Sequence, residues 1–413
     1  MHYRQRCTQS VLQGLAANND QILELSDYIH GTAYLQAVNN GKIGDDDTAS
    51  DVWIYIWVFL NCSPDSCYKK HNVMIGGIIP GPKKPKNLDL FLYRGLHHVS
   101  AVMKEGLVIW DGVLKQQITS DIDLAFVTAQ GPGIAFVSGL VGHSGRYDCR
   151  IYCPMPGRNK PGTGHYYPAN LKPTDYTGGA ASTHDDIKVA HILKSSAQDK
   201  IAERLVENLA KVGSSRGPTE YKKNQVQIGI AKPSILAGLS SNHILGIPAS
   251  FPLDSMHHLL LNIPDLFFPL WRGTMPCEAG DNKSSWDFAV FQNLQIWRQH
   301  GAAVEATRPY LPGSFDHPPR NPAEKISSGY KAVEYGNYLY GLGPAQFYSL
   351  LPLKYWTHLC KLVCAVRLLS QHIIKSTEVV NAHKLLLEFV AEFEELYYQR
   401  KTARLHYVRQ SVH

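Results

Sequence analysis

The stretch GGIIPGPKKPKNLDLFLYRGLHHVSAVMKEGLVIWD, from Gly76 to Asp111, decides the local fold. An apolar run ends at a Pro- and Gly-rich turn, and three lysines follow within five residues. Across 88–102 the apolar residues recur every three or four positions, which predicts a helix with one buried face. Asn87 suits the N-cap, and Asp89 places a negative charge in the first turn, where the helix dipole favours it. The pattern is typical of a strand–turn–helix unit in an α/β protein.

Strand-like segments lie on both sides of this unit. Val52–Leu60 and Asn72–Ile79 are rich in β-branched and aromatic residues, and a turn around Pro64 separates them, which predicts two neighbouring strands. Residues 122–129 predict a further strand that ends at Gln130. The sequence therefore places two strands, a helix and another strand in that order.

The composition indicates a globular protein. The chain has 413 residues, of which 44% are hydrophobic and 18% charged, so it can bury more than one core. A formal charge of +6 suits a nucleic-acid partner but also fits many enzymes. Eight cysteines are too few for a disulfide scaffold in a chain of this length. Its apolar runs are too short or too interrupted to span a bilayer, and the first ten residues lack the apolar core of a signal peptide, so we expect no membrane association.

Two cysteines are the best candidates for metal ligands. Cys149 and Cys153 have the spacing C-x3-C, and His165 follows a Pro- and Gly-rich segment. Two thiolates and a later histidine are typical zinc ligands. The spacing alone is a weak signal, and without further support it favours two free thiols over a metal site.

Five segments together resemble one protein family. The segments are SDVWIYIWVF from Ser50, IPGPKKPKNLD with GLVIWD, GLVGHSGRYDCRIYC from Gly139, YLPGSFDHPPRNPAEKISSGYK from Tyr310, and the terminal LYYQRKTARLHYVRQSVH. The residues of these segments and their order along the chain resemble those of CACTA (En/Spm-type) DNA transposases, in the form widespread in fungi. The resemblance spans nearly the whole chain. The resemblance implies a nuclear protein that binds transposon ends and cuts and joins DNA.

The resemblance also implies a division of the chain. An N-terminal helical segment (1–48) would precede a partial ribonuclease-H-like, DDE-transposase core (49–140). A loop-rich insertion with a zinc knuckle (141–320) and a C-terminal helical region (321–413) would follow. Because relatives continue beyond the terminal segment, we expect a truncated copy.

Two departures from the family pattern predict that strand cleavage is lost. Relatives carry a hydrophobic strand ending in Asp-Gly after the acidic turn Asp45–Asp47, but here Thr48 leads straight into Ala49. The first metal-binding acid is then missing with its strand. Relatives usually carry Asp at the position of Gln130, the second acid. Two Mg²⁺ ions need carboxylates around them, and a neutral amide supplies no charge.

The remaining acids leave alternatives open. Glu334 matches an acidic position in relatives and is our candidate for the third catalytic acid. Asp254 is also shared with relatives and is our second catalytic candidate. An active, Mg²⁺-dependent nuclease would have to rebuild its site from these two with Asp51 or Asp89. A non-enzymatic interaction protein is the other alternative.

The resemblance extends the candidate zinc site to four ligands. Relatives carry a Cys pair at Cys149 and Cys153 and a histidine at the position of His165. His257 is the best candidate for the fourth ligand. Four protein ligands would leave no open coordination position, so we expect zinc to be structural and Mg²⁺ to matter only if catalysis survives.

Overall fold

The computed structural model describes residues 35–38, 52–80, 85–176, 182–189, 191–192, 198–315 and 317–413. Helices predominate, and the strands are short. The acidic run Asp45–Asp47, Asp51 and most of the predicted N-terminal helical segment lie outside the described residues. One part of that segment is described, and it is a strand instead of a helix.

The first sheet is an antiparallel meander of three strands. β1 (Leu35–Val38) pairs with β2 (Val52–Val58), and β2 pairs with β3 (Val73–Ile79) across a bulge after Tyr55. The two strands predicted from Val52–Leu60 and Asn72–Ile79 are confirmed as β2 and β3. β1 lies within the predicted N-terminal helical segment and before the acidic turn Asp45–Asp47, so it is not the strand that the resemblance implies after that turn. The sequence of β1, LQAV, contains no carboxylate.

Two glycines let the Tyr55 ring lie flat on this sheet. A Cβ on Gly76 would be 2.2 Å from the Tyr55 ring, and one on Gly77 would be 2.4 Å away. Any larger residue would displace a ring that is 8% exposed and belongs to the core beneath. The apolar, glycine-containing run therefore specifies close packing across β2 and β3.

The helix predicted after this run is confirmed. Asp89–Glu105 is helical, and the Asn87 side chain accepts a hydrogen bond from the Asp89 N–H at 3.1 Å. Leu92, Leu96 and Met103 form its buried face. Strands β4 (Leu107–Asp111) and β5 (Gln116–Ser120) then form a separate hairpin.

The strand predicted at 122–129 is not formed. Leu124 makes an isolated parallel bridge to Ile244, and the Val127 N–H donates to Ser250 O at 2.8 Å. This extended segment therefore makes isolated backbone contacts with residues 244 and 250 and joins no sheet among the described residues. The α/β mixture is confirmed, whereas the partial ribonuclease-H-like core stays a prediction.

The remaining elements are mainly helical. In chain order the α-helices are α1 (Pro64–Cys67), α2 (Asp89–Glu105), α3 (Gly131–Ser138), α4 (Gln198–Gly213), α5 (Pro218–Ile228), α6 (Ile263–Trp271), α7 (Leu294–Ala306), α8 (Pro322–Lys325), α9 (Ala332–Gly336), α10 (Gly343–Gln346), α11 (Leu353–Leu369) and α12 (Ser376–Phe393). Strands β6 (Arg158–Asn159) and β7 (Tyr166–Tyr167) form a small hairpin. Within the described residues, no helix is long and apolar enough to cross a membrane.

Residues 255–271 form one continuous helical segment, although it contains Pro264. A π-helical turn, Met256–Asn262, leads directly into α6, and Pro264 lies in the first turn of α6. Proline is tolerated there because the first N–H groups of a helix need no helical acceptor. The π-helical turn holds more residues per turn than an α-helix, and the chain continues from it into α6 without a break.

The largest core is aromatic and crosses the predicted boundary at residue 320. It joins α6 and α7 to α11, α12 and the terminal segment. Phe267, Phe268, Trp271, Tyr338, Phe347, Tyr355, Phe393 and Tyr397 are among its buried side chains. The insertion and the C-terminal helical region therefore share one hydrophobic interior.

Basic residues near the end of the chain form ion pairs with the body of the protein. The fully buried Arg404 pairs with Asp281 through Nε–Oδ2 and Nη2–Oδ1 contacts of 2.7 Å each. Arg409 pairs with Asp265 at 2.7 Å. The terminal segment is thus packed against the body instead of forming a free basic tail.

Candidate metal centre and neighbouring polar network

A tight turn brings Cys149 and Cys153 together. Tyr152 has a positive φ of 56°, and its N–H donates to Cys149 O at 2.9 Å, so the chain folds back over four residues. The Tyr152 hydroxyl donates to Ile228 O at 2.7 Å and accepts from Asn208 at 2.9 Å, which anchors the turn to α4 and α5. Both cysteines are buried, at 6% and 1% exposure.

The third member of the group is His413, which the sequence analysis missed. Its Nε2 lies 3.5 Å from Cys153 Sγ, and one donor atom from each of the three residues lies within 4.8 Å of the others. Among the described residues this is the one group of three or more metal-ligating side chains that converges. No spacing rule links residues 260 positions apart, so only the docking of the terminal segment could show it.

The charges of the group suit metal binding. Hydrogen bonding from Cys153, followed by the bond to His413, lowers the pKa of the Cys149 thiol well below its usual value. The Cys153 pKa is raised, first by that same hydrogen bond and then by burial. Burial lowers the pKa of His413, but the hydrogen bond and negative charge of Cys149 outweigh it and leave the pKa raised. A cation would replace the protons held by Cys153 and His413, and would compensate two buried thiolates.

The donor set fits zinc better than magnesium. Two sulfurs and one imidazole nitrogen are soft-to-borderline donors, whereas Mg²⁺ prefers oxygen. Zn–S bonds of about 2.3 Å in a tetrahedron place two sulfurs about 3.8 Å apart. The observed separations need only small side-chain shifts to reach that geometry.

The predicted four-ligand set is not assembled. The His165 ring stacks on Tyr167 with ring centroids 4.4 Å apart and contacts His143 at 5.9 Å. His257 lies on the π-helical turn, where both of its ring nitrogens already have partners. The fold holds these two histidines in other contacts, and His413 takes the third position.

His257 lies at the centre of a second polar cluster, the Gln130 network. Its Nδ1 lies 2.6 Å from Asp254 Oδ2, and its Nε2 lies 2.7 Å from Gln130 Nε2. If Nδ1 carries the proton and donates to Asp254, Nε2 is free to accept from the Gln130 amide. Burial raises the pKa of Asp254, but hydrogen bonds from His257 outweigh it and leave the pKa lowered. The network is thus satisfied internally, and Gln130 contributes a neutral amide to it.

The Glu334 carboxylate forms an ion pair with Arg320. Arg320 donates to it from Nε at 2.6 Å and from Nη2 at 2.7 Å, and the Lys331 N–H donates to Oε2 at 2.8 Å. Burial raises the pKa of Glu334, but the Arg320 hydrogen bonds outweigh it and leave the pKa lowered. The carboxylate, on a residue 2% exposed, caps the start of α9 and holds the Arg320 segment. The structure thus places Glu334 in an ion pair and Asp254 in the Gln130 network, and it tests no catalytic role for either.

Residues 40–159 match the family model described as transposase family tnp2. This segment is transposase-like. It contains the sheet strands β2 and β3, the helix α2, Gln130 and both cysteines, but covers less than a third of the chain. No curated protein and no solved structure gives a significant match. The comparison therefore supports a transposase relationship for this segment and leaves His413, Asp254, His257 and Glu334 outside its reach.

Proposed function

We propose that the protein is a transposase-derived DNA-binding protein of the CACTA class that does not cleave DNA strands. The observation that carries the proposal is the position of Gln130. The transposase-like segment places this residue directly before α3, where the resemblance expects an acid. Its amide contacts His257 instead of offering a carboxylate to a metal ion.

The chemistry of strand cleavage supports the same conclusion. Two Mg²⁺ ions a few ångströms apart must be bridged and neutralised by carboxylates. Among the described residues, the one group of three converging metal-ligating side chains is Cys149, Cys153 and His413. It contains no carboxylate. Asp254 is hydrogen-bonded to His257, and Glu334 is paired with Arg320, so both remaining candidates already have partners.

Features of the transposase-like segment favour DNA as the partner. The exposed face of α2 carries Arg94 beside Tyr93 and His97, whose rings lie 5.5 Å apart. Lys86 and Lys104 lie at its two ends. Cationic groups interleaved with aromatic rings suit phosphate contacts and base stacking. A DNA partner also accords with the nuclear localisation that the family resemblance implies.

We further infer that the cysteine–histidine group holds a structural zinc ion. Cys149, Cys153 and His413 would be its protein ligands. When bound, zinc would supply a cross-link between the 149–153 turn and the terminal segment. These three protein ligands differ from the four expected from the sequence, so the structural role rests on this cross-link and not on a closed set of four protein ligands.

A binding and cleavage experiment tests the function. The purified protein should bind duplex DNA without Mg²⁺, with an affinity that falls steeply as salt is raised. It should not nick transposon-end DNA in Mg²⁺ or Mn²⁺. Nicking that disappears in Glu334→Gln or Asp254→Asn would instead establish an active enzyme with substitute acids. No retention on a DNA column at moderate salt would favour the non-enzymatic interaction protein.

A further inference from the structure

Arg150 connects the metal centre to the Gln130 network. It follows Cys149 directly in the chain, and its Nε donates to Gln410 Oε1 at 3.4 Å. The other end of the guanidinium reaches the start of α3, where a Cβ on Gly131 would lie 3.1 Å from Nη2. One arginine thus spans the space between the metal ligands and the residue next to Gln130.

The placement of Arg150 depends on both parts of the metal centre. Its backbone is adjacent to the ligand Cys149. Its side chain is held by Gln410, which also donates to Asp148 O. Gln410 lies within a turn closed by the Val412 N–H donating to Arg409 O at 2.9 Å, and the candidate ligand His413 follows that turn directly. A metal ion that joins Cys149 to His413 would therefore hold both attachments of Arg150 together.

The guanidinium of Arg150 is available to an anion. Its terminal nitrogens have no hydrogen-bond partner among the described residues, and neither nearby carboxylate, Asp148 or Asp254, forms an ion pair with it there. Arginine presents a planar, permanently charged fork that matches a phosphate group. A partly buried arginine with free terminal donors suits a ligand that brings its own negative charge.

Resting on the proposed function, we propose that occupancy of the metal centre regulates DNA binding by fixing Arg150 as a phosphate contact. With the metal bound, the guanidinium is held beside Gly131 and meets the DNA backbone. Without it, the terminal segment and the 149–153 turn move independently, and the arginine loses its fixed position. The ligand class is a DNA phosphate, and the regulator is a divalent cation with affinity for thiolates.

Fluorescence anisotropy with a labelled mixed-sequence duplex tests this coupling in Mg²⁺-free buffer. Zinc-loaded wild-type protein should bind on the order of tenfold more tightly than chelator-treated protein, the loss expected for one charge-assisted hydrogen bond. Zinc-loaded Arg150→Ala should bind as weakly as the treated wild type, should gain nothing from zinc, and should lower the salt slope by about one. Zinc-loaded Gln410→Ala should retain its zinc and lose part of the affinity. The matched control is Arg298→Ala, an exposed arginine on α7, which should keep the zinc dependence of the wild type.

The outcomes separate this inference from the function it rests on. Equal binding by loaded and treated wild-type protein, or an undiminished zinc response in Arg150→Ala, overturns the inference and leaves DNA binding intact. No DNA binding by either form overturns both. Because metal removal can unfold the protein, circular dichroism accompanies each titration. The loaded Arg150→Ala and Gln410→Ala variants decide the question if the treated form is unfolded.

Discussion

The transposase-like segment and the aromatic core are built differently. The segment packs β2, β3 and α2 around a small cluster that includes Trp53 and Leu88. The aromatic core joins elements from α6 to the chain end and encloses a buried ion pair. The family match stops before that core begins. The part of the chain with recognisable ancestry is therefore not the part that holds the largest hydrophobic core.

Breaking the ion pair inside the aromatic core should have the largest effect. Arg404→Met should leave the buried Asp281 carboxylate without its main partner and lower the free energy of unfolding by about 3–5 kcal/mol. Urea denaturation followed by tryptophan fluorescence measures this change. Arg409→Met is the matched control, since it removes an exposed pair with Asp265 and should cost about 1 kcal/mol or less. Equal losses in the two variants would show that burial of the Arg404 pair contributes nothing.

A core truncation in the transposase-like segment should act locally. Leu92 is 4% exposed on the inner face of α2, so Leu92→Ala should destabilise its cluster by about 2–5 kcal/mol. Hydrogen exchange should show lost protection in β2, β3 and α2 and unchanged protection in α11 and α12. Leu90→Ala, at a position 71% exposed on the same helix, should change neither. Uniform loss of protection across both regions would show one cooperative unit instead of two.

The same division explains what the sequence could predict. Composition predicted β2 and β3 correctly because β-branched and aromatic residues favour strands, and the helical period of apolar residues predicted α2, whose buried residues share one face. The segment at 122–129 has a strand-like composition, but its hydrogen-bond partners lie near residues 244 and 250, and no local pattern identifies them. β1 was missed because a four-residue strand carries almost no periodic signal.

The candidate site divides in a similar way. The Cys149 and Cys153 pair could be predicted from the sequence because the two residues lie within one turn. His413 was not, because its position depends on the terminal segment docking through Arg404 and Gln410. The resemblance favoured His165 and His257, whereas in the structure His413 lies beside the two cysteines.

Stability should depend on pH through Glu394, a carboxylate next to the aromatic core. Burial raises its pKa to about 7, although the N–H groups of Asn170 and Leu171 donate to it at 2.7 and 2.8 Å. A raised folded-state pKa means that its stabilisation is complete below the unfolded value of about 4.5 and is lost as pH rises through 7. We expect the wild type to lose about 3 kcal/mol more than Glu394→Gln between pH 4.5 and 7.5, from urea denaturation at each pH. Identical pH profiles for the two proteins would contradict a buried, protonated Glu394.

Removing the metal ligand at the chain end should give the smallest effect and the sharpest test of how the two regions are joined. The turn of Cys149 and Cys153 belongs to the transposase-like segment, whereas His413 belongs to the segment that packs on the aromatic core. With free zinc at about 100 times its dissociation constant, binding should raise the free energy of unfolding by about 2.7 kcal/mol. His413→Ala should lose most of that increment and its bound zinc, as measured by metal analysis and thermal denaturation, while His165→Ala should keep both.

Because the proposed ligands come from both regions, the zinc-stabilised form should also show slower hydrogen exchange at the 149–153 turn and at the chain end together. Zinc retained by His413→Ala and lost by His165→Ala would restore the ligand set expected from the sequence and remove the link between the two regions.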